Sequence, residues 1–95
     1  MRILVVDDEP LARERLQRLL ARLRPDAVVS EAGDGESALG AVQAAPPDLV
    51  LLDIRMPGID GLAVAEQLAA MAQPPAVVFC TAYDAYALDA LRHAA

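Results

Sequence analysis

The sequence contains no lysine and no tryptophan, and it has a single cysteine, Cys80. One cysteine excludes an internal disulfide and fits a reducing compartment, which predicts a cytoplasmic location. No apolar run approaches the roughly 20 residues that a membrane-spanning helix requires. The apolar run at the N-terminus is too short for a signal peptide, and it leads straight into acidic residues. Membrane and disulfide-rich secreted proteins are therefore not expected.

Positive charge is scarce as well. The sequence has eight cationic residues, all of them arginine, and 14 acidic residues, so the net charge is −6. Nucleic-acid binding depends on Lys and Arg, so direct binding of DNA or RNA by this chain is not expected. A content of 56% hydrophobic and 23% charged residues over a length of 95 is typical of one small globular domain.

Four apolar segments recur, and each is followed by a segment with helical spacing. The predicted strands cover residues 3–6, 27–30, 48–53 and 76–81. The first and third are continuous runs that predict burial on both faces, as in a parallel sheet, whereas the second is more polar and suits an edge. This alternation predicts an α/β fold, a doubly wound parallel sheet built from four βα units with helices on both faces.

The predicted helices cover residues 10–23, 36–45, a segment from 62, and 85–94. The first has an apolar stripe predicted to face inward, formed by Leu16, Leu19, Leu20 and Leu23. Its arginine stripe is predicted to face solvent and consists of Arg13, Arg15, Arg18 and Arg22. The third is predicted to bury Leu62, Ala65, Leu68 and Met71. His93, in the last helix, is predicted to face solvent or a partner.

Acidic side chains follow two of the predicted buried strands. Asp7 and Asp8 end the first strand, Asp53 ends the third, and Thr81 ends the fourth. The carboxyl ends of parallel strands meet at one edge, where ligands bind. Two carboxylates about 5 Å apart repel each other by about 3 kcal/mol at an effective dielectric of about 20. A hard divalent cation removes this repulsion, so the pattern predicts a Mg²⁺ site.

Each of these features alone has a simpler interpretation. Asp7 and Asp8 could cap the first helix, and Asp53 could belong to an ordinary turn. Residues 33–38 (GDGESA) satisfy the dinucleotide-binding fingerprint, although Asp34 and Glu36 would place negative charge where a pyrophosphate must lie. A small phosphatase with an aspartate nucleophile would need two acids spaced two residues apart after the first strand, and here they are adjacent.

Three segments resemble, in order, the motifs of the receiver domain of two-component response regulators. They are residues 5–10 (VVDDEP), 51–61 (LLDIRMPGIDG) and 79–82 (FCTA). Residues 7–16 and 79–88 are similar to the LytR/AlgR-type branch. The resemblance implies a flavodoxin-like receiver that is not an enzyme but promotes its own phosphorylation and dephosphorylation. It also implies a sensor histidine kinase as phosphodonor and a downstream output, transcription regulation.

The resemblance further implies a role for each matching residue. Asp53 would be the phosphoacceptor and, with Asp8, would ligate Mg²⁺. Asp7 would hold the ion through water, and the main-chain carbonyl of Arg55 would complete the protein ligands. The remaining roles are phosphoryl binding by Thr81 and the main chain of Ala82, tuning of hydrolysis by Arg55 and Tyr83, and loop geometry set by Pro57 and Gly58.

The sequence departs from the family after its fourth strand. The family has a fifth strand and helix with a lysine, and this sequence has no lysine. We therefore expect residues 1–95 to form a C-terminally incomplete receiver with impaired phosphotransfer or output. The alternative is a binding-only pseudo-receiver or an inactive fragment that acts through protein contacts. Because the fifth strand is missing, residues 77–79 should form an exposed apolar edge that favours self-association or segment exchange.

Overall fold

A computed structural model describes residues 1–80. Four parallel strands lie in the order β2-β1-β3-β4. In chain order the elements are β1 (Arg2–Val6), α1 (Pro10–Leu23), β2 (Val28–Ala32), α2 (Gly35–Ala44), β3 (Leu49–Leu52), α3 (Gly61–Ala69) and β4 (Ala76–Phe79). The helix predicted over 85–94 lies outside the described residues. The predicted parallel sheet is confirmed for the four strands and three helices described.

The burial of the strands follows their composition. Four consecutive residues of β1, from Ile3 to Val6, are buried, because β1 is paired on both sides and covered on both faces. In β2 only Ala32 is buried, and this strand lies at the edge that its polar character predicts. In the described sheet, β4 lies at the opposite edge, and Val78 is exposed there.

Two hydrophobic clusters lie on opposite faces of the sheet. One cluster joins alternate strand residues to Leu20 of α1, and it contains Ile3, Val5, Leu20 and Leu51. The other joins the remaining strand residues to α2 and α3, and it includes Leu4, Val6, Val50, Leu52, Ala38, Val42, Val64 and Leu68. Alternation of side chains across each strand therefore supplies both faces, which confirms the doubly wound arrangement.

The inward faces of two helices differ from the prediction. Leu19 and Leu23 of α1 are 49% and 60% exposed in the described structure, because α1 contacts the sheet through Leu20 and the partly buried Leu16. Leu23 lies only about 20° from Leu16 around the helix axis but is the last residue of α1, so its exposure fits its place at the end of the helix. Leu62 is 53% exposed because α3 begins at Gly61 and buries positions 61, 64 and 68, and each residue turns the side chain by about 100°.

Within residues 1–80, none of the helices combines the length and the apolar character needed to cross a bilayer.

Candidate functional site

The backbone ladder places Asp7 beside Asp53. Val6 is paired with Leu52 in β3 and with Ala32 in β2. The ladder continues one residue further on both sides, because the Asp53 N–H donates to the Val6 carbonyl at 2.9 Å and the Asp7 N–H donates to the Ala32 carbonyl at 3.2 Å. Both aspartates are thereby fixed by main-chain hydrogen bonds at the carboxyl edge of the sheet.

Three carboxylates meet at this edge. Each of Asp7, Asp8 and Asp53 offers one oxygen, and these oxygens lie within 4.8 Å of one another. Asp7 and Asp53 are each only 9% exposed. A cluster of carboxylate oxygens at this spacing fits a hard cation such as Mg²⁺, whose preferred protein ligands are carboxylate and carbonyl oxygens. The structure therefore brings together the three carboxylates predicted to hold a cation, those of Asp7, Asp8 and Asp53.

The site disfavours negative charge on Asp7 and Asp53. Burial raises the pKa of Asp53 to about 6, and the carboxylates of Asp7 and Asp8 add to this increase, while the backbone N–H groups of Arg55 and Ile54 oppose it. The pKa of Asp7 is also raised, chiefly by burial. A bound cation would favour the ionised form of both groups.

Asp7 and Asp8 do not cap α1, so the capping interpretation of this pair is wrong. The first helix begins after Glu9, and the side chain of this N-cap residue makes no capping hydrogen bond. The Asp7 Oδ1 accepts the Glu9 N–H at 2.9 Å, which closes an Asx turn before the helix starts. Asp7 therefore orders the loop of the carboxylate cluster rather than the helix.

The loop after Asp53 turns through a left-handed glycine. Gly58 has φ +76°, the described chain's one positive φ, directly after Pro57. Met56 is buried against the cluster under α2 and α3 and anchors the loop. The Gly61 N–H donates to the Ile54 carbonyl at 2.8 Å, which brings the start of α3 back to the acidic edge. The positive φ of Gly58 fits the loop geometry predicted for Pro57 and Gly58.

The GDGESA motif is used for helix capping and packing. Asp34 is the N-cap of α2, and its Oδ1 accepts the Ser37 N–H at 2.7 Å. A Cβ on Gly35 would lie 2.8 Å from the Ile59 carbonyl oxygen, so this glycine permits close contact with the loop after β3. The adjoining cleft of about 500 Å³ has Asp8, Asp34 and Glu36 among its lining residues. These acids oppose a pyrophosphate, which argues against dinucleotide binding.

Arg13 does not lie on a solvated face, contrary to the prediction for the arginine stripe. Its side chain is only 18% exposed. Its Nη1 donates to the main-chain oxygen of Asp7 at 2.7 Å, and its Nε donates to Glu31 Oε1 at 2.7 Å. Gln17 Nε2 also donates to Glu31. Arg13 and Arg15 lie about 200° apart around the helix, so they point to different sides, and the side of Arg13 is the one that meets β2.

Cys80 lies at the same edge of the sheet. Its N–H donates to the Leu52 carbonyl at 2.9 Å, and its side chain is partly buried against the cluster under α1. Burial raises the pKa of the thiol, and the carboxylates of Asp7 and Asp53 add to the increase. Cys80 thus packs at the margin of this hydrophobic cluster. Thr81, Ala82 and Tyr83 lie outside the described residues.

Comparison with known proteins adds an independent result. The response regulator receiver domain family matches residues 3–95. The chain is 55% identical over 93 residues to the positive alginate biosynthesis regulatory protein of Pseudomonas aeruginosa, covering 97% of this chain and 38% of that protein. It is 46% identical over 90 residues to the sensory transduction protein LytT of Bacillus subtilis, covering 95% and 37%.

A solved structure has the same fold. The response regulator TrrA of Thermotoga maritima, in complex with Mg²⁺-BeF, is 41% identical with a TM-score of 0.82, and the match covers 99% of this chain and 80% of that one. The chain spans less than two-fifths of the length of the two curated relatives.

Proposed function

The chain belongs to the response regulator receiver family, and its curated relatives are of the LytR/AlgR type. On this premise we propose that Asp53 accepts a phosphoryl group from the phosphohistidine of a sensor histidine kinase, in a reaction that depends on Mg²⁺. The observation that carries the proposal is the position of Asp53, whose carboxylate lies within 4.8 Å of those of Asp7 and Asp8 at the carboxyl edge of the sheet.

The cation site is assigned to the same residues. Asp8 and Asp53 would ligate Mg²⁺ directly, Asp7 through water, and the main-chain carbonyl of Arg55 would complete the protein ligands. The bound ion would neutralise charge on the acceptor and on the phosphoryl oxygens. The fit rests on the donor set, since burial, together with the neighbouring carboxylates of Asp7 and Asp8, raises the pKa of the acceptor to about 6, and a cation would offset both effects.

In the transfer step, a carboxylate oxygen of Asp53 attacks the phosphorus of the phosphohistidine. The new P–O bond forms as the P–N bond to the imidazole breaks, and the imidazole leaves with the electron pair of that bond. The chain's contribution is to position Asp53: the Val6 carbonyl fixes its backbone, and the N–H groups of Ile54 and Arg55 donate to its carboxylate. Positioning and charge neutralisation supply most of the catalysis in such transfers.

Several finer assignments follow the family. Thr81 and the main chain of Ala82 would bind the phosphoryl group, and Arg55 and Tyr83 would tune hydrolysis of the aspartyl phosphate. Residues 1–95 would thus form a receiver domain, not an enzyme in the usual sense, that promotes its own phosphorylation and dephosphorylation. Pro57 and Gly58 would set the loop beside the acceptor, as the φ of +76° at Gly58 supports.

The regulatory output and the binding partners of this chain are proposed from its relatives. The curated relatives include transcriptional regulatory proteins such as BtsR of Salmonella typhi. We assign this chain the receiver role in such a regulator, in the cytoplasm, with a sensor histidine kinase as partner. Self-association through the β4 edge, where Val78 is 36% exposed, is the second assigned contact.

Binding of beryllofluoride tests the acceptor assignment directly. Fluorine NMR of the chain with beryllofluoride and Mg²⁺ should show a bound signal that disappears without Mg²⁺ and in Asp53→Asn. The matched control is Asp26→Asn, an exposed aspartate in the loop between α1 and β2. A binding-only pseudo-receiver would give no bound signal. A signal that persists in Asp53→Asn would place the acceptor elsewhere.

A further inference from the structure

Arg13 joins two parts of the molecule that are distant in sequence. The Nη1 atom reaches the main-chain oxygen of Asp7, in the loop after β1, and the Nε atom reaches the carboxylate of Glu31, in β2. Glu31 is paired in register with Val5, two residues before Asp7. The guanidinium group also lies beside the loop after β2, since a Cβ on Gly33 would be 3.4 Å from Nη1. Arg13 therefore connects the acidic loop to the edge strand.

The contact with Arg13 completes the hydrogen bonding of Asp7. The Asp7 N–H donates to Ala32, and the Asp7 carboxylate accepts the Glu9 N–H. The Asp7 carbonyl precedes α1, whose first backbone bond runs from the Arg13 N–H to the Glu9 carbonyl. The helix therefore donates to the Asp7 carbonyl through the side chain of Arg13, at 2.7 Å, rather than through a backbone N–H.

The guanidinium of Arg13 contributes geometry, rather than net charge, to the acidic edge of the sheet. The guanidinium is paired with the Glu31 carboxylate at 2.7 Å, so the pair as a whole brings no charge to the acidic edge. A guanidinium presents several donors in a fixed plane and can hold two acceptors at once, whereas an ammonium is a single point of charge. The planar group thereby fixes the direction of the Asp7 peptide relative to β2.

We propose that Arg13 is a positioning residue for the cation site: by bridging the Asp7 carbonyl and Glu31, it holds the Asp7–Asp8 segment with its carboxylates directed at Asp53. This inference rests on the proposed Mg²⁺ site. Outer-shell partners that orient metal ligands affect metal affinity strongly, and their loss typically costs ten- to a hundredfold.

Arg18 provides a matched control on the same helix. It pairs with Glu14 at 2.6 Å, one helical turn away, and the two side chains are 75% and 53% exposed. Replacing either arginine removes one positive charge and one ion pair with a glutamate. Of the two, only Arg13 contacts the acidic loop.

The test measures Mg²⁺ affinity of the full chain by isothermal titration calorimetry, with urea unfolding in the absence of Mg²⁺ as a separate measure of stability. Arg13→Met should weaken Mg²⁺ binding roughly tenfold. Arg13→Lys should also weaken it, by at least roughly threefold, since an ammonium carries its donors on one nitrogen and lacks the fixed, planar pair of Nε and Nη1 that reaches both acceptors. Arg18→Met should bind Mg²⁺ as the unsubstituted chain does.

The outcomes separate this inference from the proposed function. If the unsubstituted chain does not bind Mg²⁺, the proposed function fails and the positioning role fails with it. If that chain binds and a folded Arg13→Met binds equally well, the positioning role alone is overturned. Equal losses in Arg13→Met and Arg18→Met, or unchanged binding in Arg13→Lys, would show an effect of charge and would likewise overturn it. Should Arg13→Met not fold, Arg13→Lys decides.

Discussion

Gly61 packs directly against the backbone of Asp53. A Cβ added to Gly61 would lie 2.1 Å from the Asp53 main-chain oxygen and 2.8 Å from the Ile54 Cα, and backbone atoms cannot move aside as a flexible side chain can. The residue that begins α3 therefore fixes where the chain leaves the acceptor. This glycine is required for close approach rather than for an unusual φ.

Gly61→Ala should destabilise the fold by about 3 kcal/mol, because the added methyl forces the backbone of residues 53 and 54 to shift. Urea unfolding measures this, and Mg²⁺ affinity should fall as well. Gly40→Ala is the control, since a Cβ there meets nothing within 4 Å and α2 continues on both sides. That variant should be more stable by roughly 0.5–1 kcal/mol. Equal effects of the two substitutions would contradict the close-packing account.

Asp53→Asn should stabilise the metal-free protein at neutral pH. The pKa of Asp53 rises from 3.8 to about 6 on folding, so between these values the folded state retains a proton that the unfolded state has lost. The free energy of unfolding therefore falls as pH increases through this window. The asparagine side chain does not titrate, so the variant does not lose stability in this window. Its free energy of unfolding should exceed that of the unsubstituted chain by about 1–2 kcal/mol at pH 7, and the difference should be smaller near pH 4. Urea unfolding of the Mg²⁺-free protein at both pH values measures the difference. A variant that is less stable at pH 7 would show that burial of the charge is not costly.

Asp60→Ala should cost about 1 kcal/mol through loss of the α3 cap. The Asp60 Oδ1 accepts the Ala63 N–H at 2.9 Å, and the residue precedes Gly61. Asp60→Asn keeps a capping oxygen and should retain most of the stability. Thermal and urea unfolding of both variants provide the comparison. If the two variants lose equal stability, the carboxylate charge matters more than the hydrogen bond.

Cys80 should report on the charge of the acidic edge. Its pKa is raised by burial and by the carboxylates of Asp7 and Asp53, so the thiol should react slowly with an alkylating reagent at neutral pH. Addition of Mg²⁺ neutralises these carboxylates, and the midpoint of alkylation rate against pH should move to lower pH. Asp53→Asn should produce a shift in the same direction without Mg²⁺. An unchanged midpoint in both cases would place the thiol outside the influence of the cluster.

Much of the fold could be predicted because it depends on local composition. The apolar runs of β1 and β3 predict burial on both faces, and the polar β2 predicts an edge. Asp7 and Asp53 could be placed together because both directly follow buried parallel strands, and the ends of such strands share one edge of the sheet.

The remaining features depend on contacts between distant residues. The sequence shows Arg13 as one of several arginines in α1, but Glu31, 18 residues further along, is placed beside it only by strand register. Gly35 reads as part of a phosphate-binding motif, although its role is contact with Ile59. Leu62 reads as a core residue, but the start of α3 at Gly61 turns it outward.

The measurement that tests the central claim most directly is the location of the phosphoryl group. The chain is incubated with phosphoramidate and Mg²⁺, the aspartyl phosphate is trapped by borohydride reduction, and the modified residue is identified by peptide mass spectrometry. The account predicts modification at Asp53 that requires Mg²⁺, persists in Asp26→Asn and is absent in Asp53→Asn. No modification of the folded chain with Mg²⁺ bound, or modification at another carboxylate such as Asp7 or Asp8, would contradict it.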